Sequence, residues 1–161
     1  MVKKYFYRRN LLEEFLGFRL QQTAWNARGQ FQKIISHLGL EITIEQAQVL
    51  LSLYKNEGVS QIQLADKVFS GRTNITRIIN GLVTSQLIRR QKDKTDRRCF
   101  RIYLTTEGKK ILEQLIPILD NANQMLINAI GNKQHQEILQ SLEDVNDIIS
   151  LFFSSYLEFQ S

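Results

Sequence analysis

Between positions 72 and 77 the chain reads RTNITR, and between 89 and 101 it reads RRQKDKTDRRCFR. Arginine carries five N–H donors in a planar fork, asparagine sets a donor beside an acceptor, and threonine places a hydroxyl next to a methyl. The first stretch is therefore equipped to hydrogen-bond flat polar edges. The second concentrates charge: seven Arg or Lys against two Asp, a net +5 that equals the net charge of all 161 residues. Over residues 59–101 the excess rises to +7, leaving −2 for the remainder. A solvated loop usually mixes signs for solubility. An imbalance this local describes a surface for a polyanion.

Other chemistries have little to work with. His37 and His135 stand far apart, and no Ser/His/Asp set or HExxH motif accompanies them, so catalysis is not expected. The single cysteine, Cys99, excludes an internal disulfide, and no CxxC or Cys/His cluster suggests a structural zinc; neither metal nor cofactor is expected. Cys99 lies between Arg98 and Arg101, and guanidinium neighbours lower a thiol pKa. That makes it a candidate redox residue, at which oxidation would add bulk or negative charge. The plainer reading is an inert strand cysteine.

With 43% hydrophobic and 23% charged residues the chain has the composition of a folded soluble protein, and its length suits one domain. Arg8, Arg9, Glu13 and Glu14 interrupt the apolar runs of the N-terminus, so no signal-peptide core forms. No run reaches the roughly 18 apolar residues of a membrane span. A soluble, cytoplasmic protein without membrane contact is expected.

The elements that must position these residues follow from hydrophobic spacing. Apolar residues from Leu11 to Leu38 recur every three or four positions, as in one long amphipathic helix with Gly29 as a weak point. Thr43 with Gln46, and Ser60 with Gln63, read as capping boxes that open a second helix, carrying Ala47, Leu50, Leu51 and Tyr54, and a short third. A fourth helix over 72–86 buries Ile75, Ile78, Ile79 and Leu82. After Leu87 the period switches to two: Phe100, Ile102 and Leu104 on a core side, Cys99, Arg101 and Tyr103 on the other. Pairing with Leu87 to Gln91 makes residues 92–97 a hairpin tip. Thr105 and Asn132 cap two last helices, the first containing Pro117; His135 is expected on the exposed first turn of the second. The order is α-α-α-α-β-β-α-α: mainly α, with a small β-hairpin.

Two short helices joined by a tight turn and followed at once by a basic hairpin form a winged helix-turn-helix. In that motif the second helix enters the major groove of DNA with its N-terminal residues. Leu64, Ala65 and Val68 face Ile75 and Ile78 across the turn, leaving Arg72, Thr73, Asn74, Thr76 and Arg77 outward. Arginine suits guanine, asparagine adenine, and the threonine methyl thymine. Clustered Arg and Lys beside such a helix neutralise phosphates and release counterions. Ser60 and Gln61, at the start of the third helix, and Lys94, Asp96, Arg97 and Arg98, at the hairpin tip, complete the expected contact set. The rival reading is a winged helix used for protein contact, its basic hairpin docking an acidic partner.

The run LADKVFSGRTNITRIINGLVTSQLIRRQKDKTDRRCFRIYLTTEG resembles the core of the MarR (multiple antibiotic resistance regulator) family, through the Asp-x-Arg wing pattern at Asp96-Arg97-Arg98 and the LTTEG that follows. The resemblance spans about residues 40 to 110 by motif and the whole chain by helix order. It implies a homodimeric transcriptional regulator on a pseudo-palindromic site in double-stranded DNA, a repressor whose affinity responds to a small aromatic or phenolic acid. A wing arginine inserted in the minor groove and held by an aspartate becomes Arg98 with Asp96, and Arg77 matches a recognition-helix arginine. His37 falls near the implied ligand crevice; the plainer reading is an exposed histidine. Where many members have Gly and then an apolar residue in the inter-helix turn, this chain has Phe69-Ser70, which hands the special backbone conformation to Gly71. The expected organisation is one chain, 1–161, in which 1–40 and 110–161 form a helical dimerisation region and 41–109 the winged helix-turn-helix lobe. Apolar first and last helices expose more surface than a small lobe can cover, which independently favours a two-fold dimer.

Overall fold

The structure is a computed structural model that describes residues 15–68, 72–93 and 99–158. Its elements run α1 (Leu16–His37), α2 (Ile44–Lys55), β1 (Val59–Ser60), α3 (Gln61–Lys67), α4 (Arg72–Thr84), β2 (Ile88–Lys92), β3 (Phe100–Leu104), α5 (Thr106–Ile130) and α6 (Asn132–Glu158). The chain divides into two compact units, Met1–Leu115 and Ile116–Ser161.

In the first unit α2 and α3 start where the sequence places them, while the expected start of the first helix near Leu11 lies outside the described residues. Thr43 accepts the Gln46 N–H and Gln46 accepts the Thr43 N–H; Ser60 and Gln63 do the same for α3. Two donors left over at each helix start are thereby satisfied. Gln32 of α1 grips the entry to α2 by donating to the Ile42 carbonyl and accepting from the Ile44 N–H, and Arg28 adds an ion pair to Glu45. α1 runs unbroken through Gly29.

The core is made by Leu50 and Leu53 of α2, Leu64 of α3, Ile75, Ile79 and Leu82 of α4, Ile88 and Ile102 of the sheet, and Leu112 of α5, each essentially inaccessible to solvent. α2 buries Val49 and Leu53 as well as Ala47 and Leu50, while Tyr54, expected inward, is exposed. In the last turn of α2 it is Leu53 that takes the place against the core.

α4 ends two residues earlier than its apolar period suggests. Gln86 takes φ 58°, its N–H reaches the Val83 carbonyl, and the Leu87 N–H returns to the Leu82 carbonyl at 2.9 Å. This is a Schellman stop with glutamine in the position glycine usually fills. Thr105 then locks the junction: its hydroxyl donates to the Gln86 carbonyl at 2.7 Å and accepts the Gly108 N–H at 3.0 Å.

The sheet has three strands rather than the expected hairpin of two. It is antiparallel, in the order β1-β3-β2, with Val59 opposite Ile102 and Ser60 opposite Arg101 on one side, and Ile88 opposite Leu104 through Lys92 opposite Phe100 on the other. β1 is two residues long, too short to show a period in sequence. Ile102 and Leu104 are buried as their alternation requires, whereas Phe100 is 45% exposed because it opens β3 at the outer end of the sheet, opposite the exposed Lys92.

In the second unit, the later part of α5 and all of α6 meet at Gly131, whose φ of 84° makes the reversal. α5 continues through Pro117. His135 is half-buried rather than exposed: its Nε2 lies 3.2 Å from Asn123 Oδ1 of α5, because the reversal folds the first turn of α6 back on its neighbour. No helix among the described residues is long and apolar enough to cross a membrane.

Candidate nucleic-acid interface

α3 packs against α4 by its apolar side, with Leu64 and Ala65 buried together with Ile75 and Ile78, while Val68 caps α3 half-buried. The small side chain of Ala65 permits the close approach. Opposite the buried stripe of α4 lie Asn74, Thr76, Arg77 and Asn80, all exposed. Arg77 donates to Asn74 Oδ1 at 3.0 Å along the helix. Gln61, the first residue of α3, reaches across to Thr76 Oγ1 at 2.5 Å. The Ser60 hydroxyl accepts the Gln63 N–H at 3.3 Å. Arg72 and Thr73 open α4, and their side chains lie outside the described residues. The same holds for the whole of Lys94, Asp96, Arg97 and Arg98, and for Phe69, Ser70 and Gly71 of the turn.

The wing is described as far as the Asp93 N–H, which donates to the Cys99 carbonyl at 3.0 Å. Cys99 is exposed. β2 buries only Ile88 and leaves Arg89, Arg90, Gln91 and Lys92 exposed. Three arginines there meet different partners. Arg101 forms an ion pair with Asp93, which is only 9% exposed, and donates to the Gly58 carbonyl at 3.3 Å. The hydrogen bond Arg101 donates to that carboxylate, reinforced by the carboxylate's charge, raises the Arg101 pKa. One of the two acidic groups in the basic stretch is thereby neutralised within the protein. Arg89 stacks 4.8 Å above the Tyr103 ring and donates to Gln91. Arg90 donates to Asn80 Oδ1 at 2.6 Å and so joins the wing to α4.

Neither Asn80 nor Arg90 belongs to the contact set expected from sequence. Asn80 follows Arg77 by three residues, so its place on the exposed stripe was available from helical spacing; its bond to Arg90 depends on tertiary placement. His37 is the last residue of α1 and is exposed.

Comparison with known proteins agrees with this geometry. Residues 42–100 match the model of the MarR family. The transcriptional repressor MprA of Escherichia coli (strain K12) is 28% identical over 108 residues, covering 67% of this chain and 61% of the repressor, so the match spans about three fifths of that relative's length. Among solved structures, the transcriptional repressor CouR bound to a 23-mer DNA duplex superposes with a TM-score of 0.76 at 23% identity, covering 86% of this chain and 97% of CouR. The MepR–DNA complex of S. aureus gives 0.76 at 21% identity, covering 85% and 98%. At these identities the structural likeness establishes the fold, a winged helix-turn-helix.

Proposed function

We propose that this chain, whose residues 42–100 match the MarR family model, is a transcriptional regulator that binds double-stranded DNA as a homodimer on a pseudo-palindromic operator and acts as a repressor. The observation that carries this reading is the exposed polar stripe Asn74, Thr76 and Arg77 on α4, next to a basic strand whose Arg90 touches the same helix. In this reading α4 lies in the major groove. Arg72, Thr73, Asn74, Thr76 and Arg77 meet base edges, with Ser60 and Gln61 at the groove's rim. Lys94, Arg97 and Arg98 hold the backbone or the minor groove, Asp96 orienting Arg98. Arg101 is already paired, so the cations beyond it form the working charge of the wing.

Dimerisation is supported by apolar surface within each unit. In the first, Phe15, Leu16, Phe18 and Trp25 of the α1 region are between 49% and 75% exposed; in the second, Leu139, Leu142, Ile149 and Phe152 of α6 are between 43% and 61% exposed. Such surface is normally covered by a partner, and two-fold symmetry sets two recognition helices about 34 Å apart, one turn of DNA, or a multiple of it. A small aromatic or phenolic acid that prefers one spacing of the two lobes would shift the equilibrium between them. His37 is the residue we place at its site, and Cys99, exposed at the wing, is the place where an oxidant would act.

Titration of duplex DNA against salt tests the core of this reading. If about 6 to 8 phosphates are neutralised per dimer, log affinity falls against log salt with a slope near −5 to −7. A flat response, or tight binding to acidic proteins in place of DNA, would favour the docking alternative. Arg77→Ala or Asn74→Ala is expected to reduce operator affinity by about 1 to 3 kcal/mol and to relax discrimination at one base position.

A further inference from the structure

The basic residues described on the wing are not equivalent. The charge of Arg101 is offset by Asp93, and the Arg89 guanidinium lies over the Tyr103 ring. Arg90 is different. It stands opposite Ile102 in the ladder, on the side of β2 that faces the core, and yet stays exposed because its chain extends over the rim to Asn80. A neutral amide fixes one nitrogen of the fork without cancelling its charge. Four of the five N–H donors then remain for another acceptor.

The place is as informative as the chemistry. Asn80 follows Arg77 by one turn on the exposed stripe of α4. The anchored guanidinium therefore sits where the recognition helix meets the root of the wing. A helix lodged in the major groove is flanked by the two phosphate strands, and cations beside it meet phosphate oxygens, which fix register. Base edges are reached by N-terminal residues of that helix, and Asn80 lies in its C-terminal half.

From this geometry we infer that Arg90 grips a DNA backbone phosphate, and that Asn80 is the positioning residue that aims its guanidinium; the inference rests on the duplex-binding reading above. A fork held on one side by Asn80 presents a parallel pair of N–H groups to two oxygens of a single phosphate, the bidentate geometry that lysine cannot supply.

The test uses the full-length chain, a fluorescent duplex of random sequence and a salt series. Arg90→Ala is expected to lower the magnitude of the log–log slope by about 0.9 per protomer, and affinity at ~0.1 M salt by about tenfold per protomer, equally on every sequence. Arg90→Lys keeps the slope but not the full affinity. Asn80→Ala also leaves the slope unchanged and weakens binding, and combined with Arg90→Ala it adds nothing further, since it acts only through Arg90. An Arg90→Ala protein with wild-type slope and affinity would overturn the phosphate contact while leaving duplex binding intact. Additive losses in the double variant would overturn the positioning role of Asn80. A wild-type chain with no salt-dependent duplex affinity would sink the duplex-binding reading, and this inference with it. Thermal unfolding of each variant, expected within a few degrees of wild type because both side chains are exposed, separates these outcomes from misfolding.

Discussion

Gln61 Nε2 donates to Thr76 Oγ1 across 2.5 Å, so that the first residue of α3 holds a side chain on the exposed face of α4. The supporting helix of the motif therefore braces the second through its polar edge as well as its apolar side.

Removing either partner should disturb the same interaction. Gln61→Ala and Thr76→Val are each expected to change stability by less than about 0.5 kcal/mol, as exposed substitutions do. Each should weaken operator binding, and the double variant should lose no more than the worse single one. A double-mutant cycle on operator affinity checks this; simple additivity would show that the two side chains act separately.

Gly108 belongs to the LTTEG run that marks the family resemblance, and the fold supplies a physical reason for it. A Cβ there would lie 2.1 Å from the Leu87 carbonyl oxygen, which accepts the Thr105 N–H at 3.1 Å. Gly108→Ala must push α5 off the end of α4. A loss of about 1–3 kcal/mol or more is expected, measured by denaturant unfolding.

Gln86 offers the opposite opportunity. Its φ of 58° places a side chain in the left-handed region, which costs roughly 1 kcal/mol in a residue other than glycine. Gln86→Gly should therefore raise stability by about 0.5–1 kcal/mol, since the two hydrogen bonds residue 86 makes, to Val83 and from Thr105, use only its backbone atoms. An unchanged or lowered unfolding midpoint would refute this.

Acid should loosen the joint between α1 and α2. Burial pushes the Glu45 carboxyl upward, but the N–H of its own backbone, the Arg28 guanidinium and the Thr43 hydroxyl outweigh it, and the pKa is lowered. In the unfolded chain Glu45 binds its proton at higher pH than in the folded one. The stabilisation is thus complete above the ordinary glutamate value of about 4.5 and is lost as pH falls through the lowered one. Glu45→Gln should flatten that acid limb, by no more than about 1 kcal/mol because Arg28 is half exposed. Unfolding midpoints between pH 3 and 7 report the difference.

Local chemistry was the legible part of this fold. Both capping boxes need only residues three apart, and the buried stripe of α4 needs only a period of 3.6, so Thr43, Ser60, Ile75 and Leu82 could be placed from sequence. What escaped depends on residues distant in the chain. β1 exists because two residues find a partner about 40 positions away; Asp93 matters because Arg101 folds back on it; Asn80 matters because Arg90 reaches it. The stop of α4 was hidden for a different reason, since glutamine stands where a glycine would have announced it. The wing-tip residues Lys94, Asp96, Arg97 and Arg98 lie outside the described residues, and their roles rest on charge and on the family pattern.

Ser60 is at once the last residue of β1 and the cap of α3. The register of β1 on β3 therefore dictates the direction in which the helix pair leaves the sheet. The helix pair is consequently not a portable cassette. A chimera that transplants residues 61–84 alone would discard its own aiming device, whereas one that carries residues 58–104 would bring the device along.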